Sequence, residues 1–191
     1  MKRRPGRRPG SADTRGEILE AARRVFAEKG FDKATVRGIA KEAQVDPALV
    51  HHYFDTKEGM FAEVMRLPIN PDDVVPKILD GPREEIGDRI VRLILTLTGQ
   101  PEVREPMLAL LRSAMTNEEV AATFREFLTS ALLFRVADTL GVAHVRIEAA
   151  FAQMFGVVIG RYILKVEPLA SADIDELAEL LGPTLQRYFT E

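Results

Sequence analysis

The sequence predicts an all-α protein, and three observations carry that expectation. Alternation of period two is nearly absent. Ala, Leu, Glu and Arg dominate the long segments, and these residues favour helix over strand. No proline falls between Ser11 and Asp46 or between Met107 and Glu167. At 191 residues and 46% hydrophobic composition, the chain can bury one large core or two small ones. Charge divides it: residues 1–66 carry 14 Lys and Arg against 10 Asp and Glu, a net of +4, whereas residues 67–191 carry 12 against 19, a net of −7. A basic end for a polyanion and an acidic body for another task is the natural reading. The expected organisation is a basic arm at 1–12, an N-terminal helical domain at 13–60 and a second helical domain at 61–191.

The first helix opens with Asp13 as N-cap and runs to Lys29, with Ile18, Ala22, Val25 and Phe26 on one apolar stripe. Gly30 then takes a left-handed stop, with Phe31 as its hydrophobic contact. Thr35 caps a second helix ending near Ala43. Asp46 caps a third, where Pro47 fits the first turn because that N–H has no helical partner. A fourth spans Thr56 to Leu67, ahead of Pro68. Further helices are expected at about 72–80, 83–98, 104–115, 118–140, 145–166 and 172–189, making ten.

Composition also excludes. Without cysteine there is no disulfide, thiolate metal site or thiol nucleophile. No apolar run approaches the ~18 residues that span a bilayer, and the basic start lacks the apolar stretch of a secretory signal. A cytoplasmic protein without membrane attachment is expected. Histidines stand only at 51, 52 and 144, and no paired carboxylates lie in an apolar segment, so no catalytic constellation emerges. Adjacent His51 and His52 point about 100° apart on a helix and lack a third ligand, which argues against metal. No cofactor is expected.

Between Thr35 and Phe54, Ile39, Ala40, Ala43, Val45, Val50 and Tyr53 form the apolar skeleton of two short helices crossing at a tight turn. That is a helix-turn-helix, whose second helix enters the major groove of DNA. Pro47, Ala48, His51 and His52 then lie on the opposite face of the third helix. On Ile18–Gly30 (ILEAARRVFAEKG), Phe31, Thr35–Ala43 (TVRGIAKEA), Val45–Phe54 (VDPALVHHYF) and Lys57–Phe61 (KEGMF), the chain resembles the tetracycline-repressor (TetR) family of bacterial transcription regulators. It departs at Gln44, where the family usually has Gly, at Leu49, where Thr or Ser is common, and at His51, where Tyr is usual.

The resemblance implies roles for named residues. Thr35, a helix cap in any case, would also meet a phosphate with the amides it caps. Arg37 would reach a phosphate or a base edge. Pro47 and Ala48 would touch thymine methyl groups, and His51 would hydrogen-bond a purine. His52, Tyr53 and Lys57 would clamp backbone phosphates, although Tyr53 also reads as core with only its hydroxyl exposed. The partner implied is double-stranded operator DNA, bound by a homodimer.

In the arm, Arg3, Arg4, Arg7 and Arg8 are interleaved with Pro5-Gly6 and Pro9-Gly10. They either enter an A·T-rich minor groove or act as a solvated tail that adds attraction.

For the acidic body, the resemblance implies a small-molecule effector and a dimer interface. Met107, Leu111, Arg112, Met115, Phe124, Phe127, Phe151, Met154 and Phe155 either line an apolar pocket or fill plain core, and Arg112 either pairs with an acid or meets an anionic ligand. Ala149, Ala152, Gly156 and Gly160 put small residues on one helix face, where another helix can come close. Leu177, Leu180, Leu181, Leu185 and Tyr188 give the last helix an apolar side, and the resemblance makes it the companion, with Leu177, Leu181 and Leu185 at the interface and Gly182-Pro183 expected to bend or interrupt it. The function this implies is a ligand-responsive repressor, released from its operator when the effector shifts the dimer, with the 56–67 helix as lever. The alternatives are a regulator working through a protein partner, or an all-α enzyme or small-molecule carrier on the same scaffold.

Overall fold

The computed structural model describes residues 13–190. Among these there is no strand, and the chain divides into two units, Met1–Val64 and Met65–Glu191. The division falls four residues beyond the expected boundary at 60, because the fourth helix packs wholly into the first unit.

In the first unit, α1 (Thr14–Lys33) starts at Asp13, whose side chain accepts the Gly16 N–H. Its regular part stops at Gly30, at φ 74° and ψ 176°. The φ is positive as expected, but the extended ψ places Gly30 outside the ordinary left-handed well, in a region essentially restricted to glycine. Phe31 is thereby swung under the helix, where Phe26, Phe31 and Phe61 pack with ring centres 4.9–6.1 Å apart. Each such ring contributes roughly 1.5–3 kcal/mol by leaving water. α2 (Val36–Glu42), α3 (Pro47–Tyr53) and α4 (Lys57–Val64) close over this core through Ile39, Ala40, Val50 and Met60, all nearly inaccessible. α4 ends three residues before the expected Leu67, and Arg66 follows at φ 53°.

The second unit contains α5 (Pro71–Leu79), a short 3-10 turn, α6 (Ile86–Gly99), α7 (Pro101–Thr116), α8 (Glu118–Phe127), α9 (Phe134–Leu140), α10 (His144–Val158) and α11 (Ile174–Thr190). Leu128–Leu133 is a π-turn that carries α8 into α9 in right-handed helical backbone, so the expected 118–140 rod is present with a widened middle. A second π-turn, Ile159–Ile163, extends α10. α7 begins at Pro101, earlier than expected, since proline suits a first helical position.

The central pair of this unit is α6 against α11. Gly87 and Gly182 meet at their crossing, where a Cβ on Gly87 would lie 2.2 Å from the Gly182 carbonyl oxygen. Gly182-Pro183 therefore does not interrupt α11, which runs through both residues. Gly182 is there for close approach. Ile90, Val91, Leu95, Leu177, Leu185 and Phe189 fill the core around the crossing. Arg92 ties α6 to α11 by donating to Asp175 as well as to Asp88, and the two carboxylates, Asp175 foremost, hold its guanidinium more firmly protonated than usual.

Candidate nucleic-acid interface

The turn between α2 and α3 sets the interface. The Thr35 hydroxyl oxygen accepts the Gly38 N–H at 3.0 Å and starts α2. At its other end the Gln44 N–H reaches the Lys41 carbonyl and the Val45 N–H reaches the Ala40 carbonyl. This double closure needs a left-handed residue between them. Gln44 supplies it at φ 56°, at a cost of order 1 kcal/mol that glycine would not incur. Asp46 then accepts the Ala48 N–H at 2.8 Å, and Pro47 opens α3.

With Ile39, Ala40 and Val50 turned inward, α3 presents Pro47, Ala48, His51 and His52 to solvent, together with Tyr53 at 36% exposure. Tyr53 is thus less a core residue than its helical position suggested, and Phe54 takes the buried place beside Val50. The His52 and Tyr53 rings lie edge to face at 5.2 Å. Arg37 and Lys41 stand exposed on α2. Arg24 of α1 is engaged by Glu42 at 2.9 Å, and Arg15 pairs with Glu63 while lying over the Phe54 ring.

Lys57 departs from expectation. Instead of standing free for a phosphate, its ammonium donates to the carbonyls of Phe31 and Ala34 at 3.1 and 3.4 Å and sits 4.1 Å from the Phe31 ring centre. α1 ends at Ala34, which is extended at φ −69° and ψ 138°, and Lys57 at the start of α4 reaches across to this end of it. Sequence reasoning missed this second role; the signal was a lysine at a helix N-terminus, where the dipole disfavours it unless acceptors are nearby. The arm arginines Arg3, Arg4, Arg7 and Arg8 lie outside the described residues.

In the second unit the nine pocket residues differ in burial. Phe127 and Met154 are buried, Met107, Leu111, Phe124, Phe151 and Phe155 are half-buried, and Arg112 and Met115 are exposed, Met115 by 85%. α7 buries only Leu108, so its C-terminal end points outward. An open groove of about 470 Å³ lies elsewhere, lined by Lys77, Glu85, Asp88, Arg89, Arg92, Leu93 and Thr96.

The interface set also divides. Ala149 is half-buried, Ala152 is exposed, and a Cβ on Gly156 would meet nothing within 4 Å. Gly160, in contrast, is buried against Leu169 of its own chain, where a Cβ would lie 2.9 Å from the Leu169 side chain. Leu177 and Leu185 are buried in the core against α6, and Leu181 packs at its edge. Leu180 is the leucine of α11 that faces outward, 69% exposed. The inner stripe of α11 is Leu177, Ala178, Gly182, Leu185 and Phe189.

Comparison with known proteins agrees with this architecture. Residues 18–64 match the family model described as bacterial regulatory proteins, tetR family, and residues 84–189 match the tetracyclin repressor-like C-terminal domain. The HTH-type transcriptional regulator UidR of Escherichia coli (strain K12) is 26% identical, over 77% of this chain and 91% of that protein. A TetR-family regulator of known structure from Streptomyces coelicolor A3 is 32% identical and covers 97% of this chain and 99% of its own, with a TM-score of 0.45. A putative transcriptional regulator from Streptomyces coelicolor A3(2) shares the fold at a TM-score of 0.50 and 17% identity, over 93% and 99% of the two chains. With both of its units matched, the chain belongs to the TetR family of helix-turn-helix DNA-binding transcription regulators.

Proposed function

We propose that this regulator binds a near-palindromic operator as a homodimer, represses from it in the cytoplasm, and is released by a small-molecule effector held in the second unit. The observation that carries the DNA half is the exposed row Pro47, Ala48, His51 and His52 above a sealed Ile39–Ala40–Val50 floor. A helix so mounted enters a major groove, and two copies must reach grooves about 34–36 Å apart. Arg37 and the Thr35 hydroxyl flank it as phosphate contacts, and Tyr53 and His52 hold the far strand. Lys57 serves here as the brace of the reading head.

The dimer is supported by the outer side of α10, where Val145, Ala152 and Gly156 are exposed and Ala149 is half-exposed, and by Leu180 on α11. Small and apolar surface without cover in one chain suits a second copy packed helix to helix. Effector release follows if the ligand prefers a dimer whose reading heads no longer match the groove spacing.

Selection of bound duplexes from a random pool, followed by footprinting, tests the reading. A protected site with two half-sites about one helical turn apart is expected. Recovery of no common sequence at low salt rejects it. A thermal-shift screen of metabolites then tests for an effector, which must both stabilise the protein and release the selected duplex.

A further inference from the structure

The second unit contains a cationic cluster that DNA binding does not use. Arg161 and Tyr162 sit in the π-turn Ile159–Ile163, and Arg104 stands near the start of α7. Both guanidinium groups lie over the Tyr162 ring, their carbons 5.0 Å (Arg104) and 5.7 Å (Arg161) from its centre. Arg104 uses one nitrogen on the Thr98 and Gly99 carbonyls at the end of α6, and Arg161 uses one on the Leu169 carbonyl at 2.8 Å. The Arg161 Nε–H is buried without a hydrogen-bond partner, the one such side-chain nitrogen or oxygen among the described residues.

Charge sharpens the point. Neither Arg104 nor Arg161 has a carboxylate within 4.0 Å among the described residues, and the two are set apart from other unpaired arginines by the ring they share. In a body rich in carboxylates, two guanidinium groups share one aromatic ring with no counter-charge. A buried donor left unpaired is rare and calls for an acceptor. The acceptor that also relieves cation–cation repulsion is an anion, and the flat guanidinium fork matches the two oxygens of a carboxylate or phosphate. Widened π-turns recur where a helix builds a binding site.

We propose that Arg161 and Arg104, braced on Tyr162, seat a carboxylate or phosphate group of the effector; this rests on the reading that the second unit binds a small molecule. The test observes Arg161 directly, through the Nε–Hε resonances of the full-length protein labelled with ¹⁵N-arginine, with Arg161→Lys assigning the signal. Titration with acetate and with inorganic phosphate distinguishes the two headgroups, and acetamide and chloride serve as controls. The Arg161 resonance should move saturably with one of the anions and not with acetamide. Arg104→Gln should weaken that binding at least tenfold.

Should Arg161→Lys fail to fold, Tyr162→Leu, which removes the brace and no charge, should weaken the response at least threefold. A resonance unmoved by both anions, or moved equally by chloride (an adventitious ion only), overturns the proposal. If a neutral metabolite releases the operator while no anion reaches Arg161, the seat is disproved and the effector reading stands. If the anion binds saturably at Arg161, the seat stands whatever the operator assay returns.

Discussion

Gly87 on α6 and Gly182 on α11 bring two helix backbones into contact, with room at Gly87 for a hydrogen and nothing larger. The opposing atoms are backbone carbonyl and amide, which cannot rotate away as a side chain would. Gly87→Ala should therefore destabilise the second unit by about 1–3 kcal/mol or more, despite alanine's better helix propensity. Thermal unfolding followed by circular dichroism measures this, and a melting point equal to the parent's would contradict the crossing.

Lys57 joins α4 to the end of α1 through two carbonyls and a ring face. Lys57→Met keeps most of the aliphatic stem and removes the charge. It should cost roughly 1.5–3 kcal/mol in urea denaturation without DNA present. If its main task were a phosphate contact, stability would hold and the slope of log K against log salt would fall by about one.

His51 and Arg37 should separate by kind of defect. His51→Ala should lower affinity for the selected operator by about 1–3 kcal/mol and relax preference at one base pair. Arg37→Ala should weaken all sequences alike and flatten the salt dependence. Fluorescence anisotropy at several salt concentrations, with matched and scrambled duplexes, distinguishes the two.

Self-association should depend on the outer side of α10. Ala152→Glu places a charge on exposed surface of the single chain, so helix content should be unchanged, while sedimentation velocity should show dissociation to monomers. Gly160→Ala is the contrast: it should disturb the fold through Leu169 before it disturbs the assembly. A dimer indifferent to Ala152→Glu would move the interface elsewhere.

Local signals made the first unit readable. The caps at Asp13, Thr35 and Asp46 and the stop at Gly30 are each decided within a few residues, so sequence spacing anticipated them, whereas Gln44 stood out only against the glycine usual in the family. The second unit depends on which helix meets which. Leu177 and Leu185 face inward only because α6 lies there, and one helix's periodicity cannot say whether its apolar stripe meets its own chain or a copy. The bond from Lys57 to Phe31 spans 26 residues and depends on an unusual ψ at Gly30, a detail composition does not encode.

Consider finally the beginning of α3, where Asp46 occupies the Ala48 amide and Pro47 has none to give. The helix tip that would approach the base edges is chemically quiet, a smooth hydrocarbon knuckle of a pyrrolidine ring and one methyl. Discrimination at that spot must come from fit against other hydrocarbon, so replacing thymine by uracil in the touched positions should erode recognition without changing a single base-pairing partner.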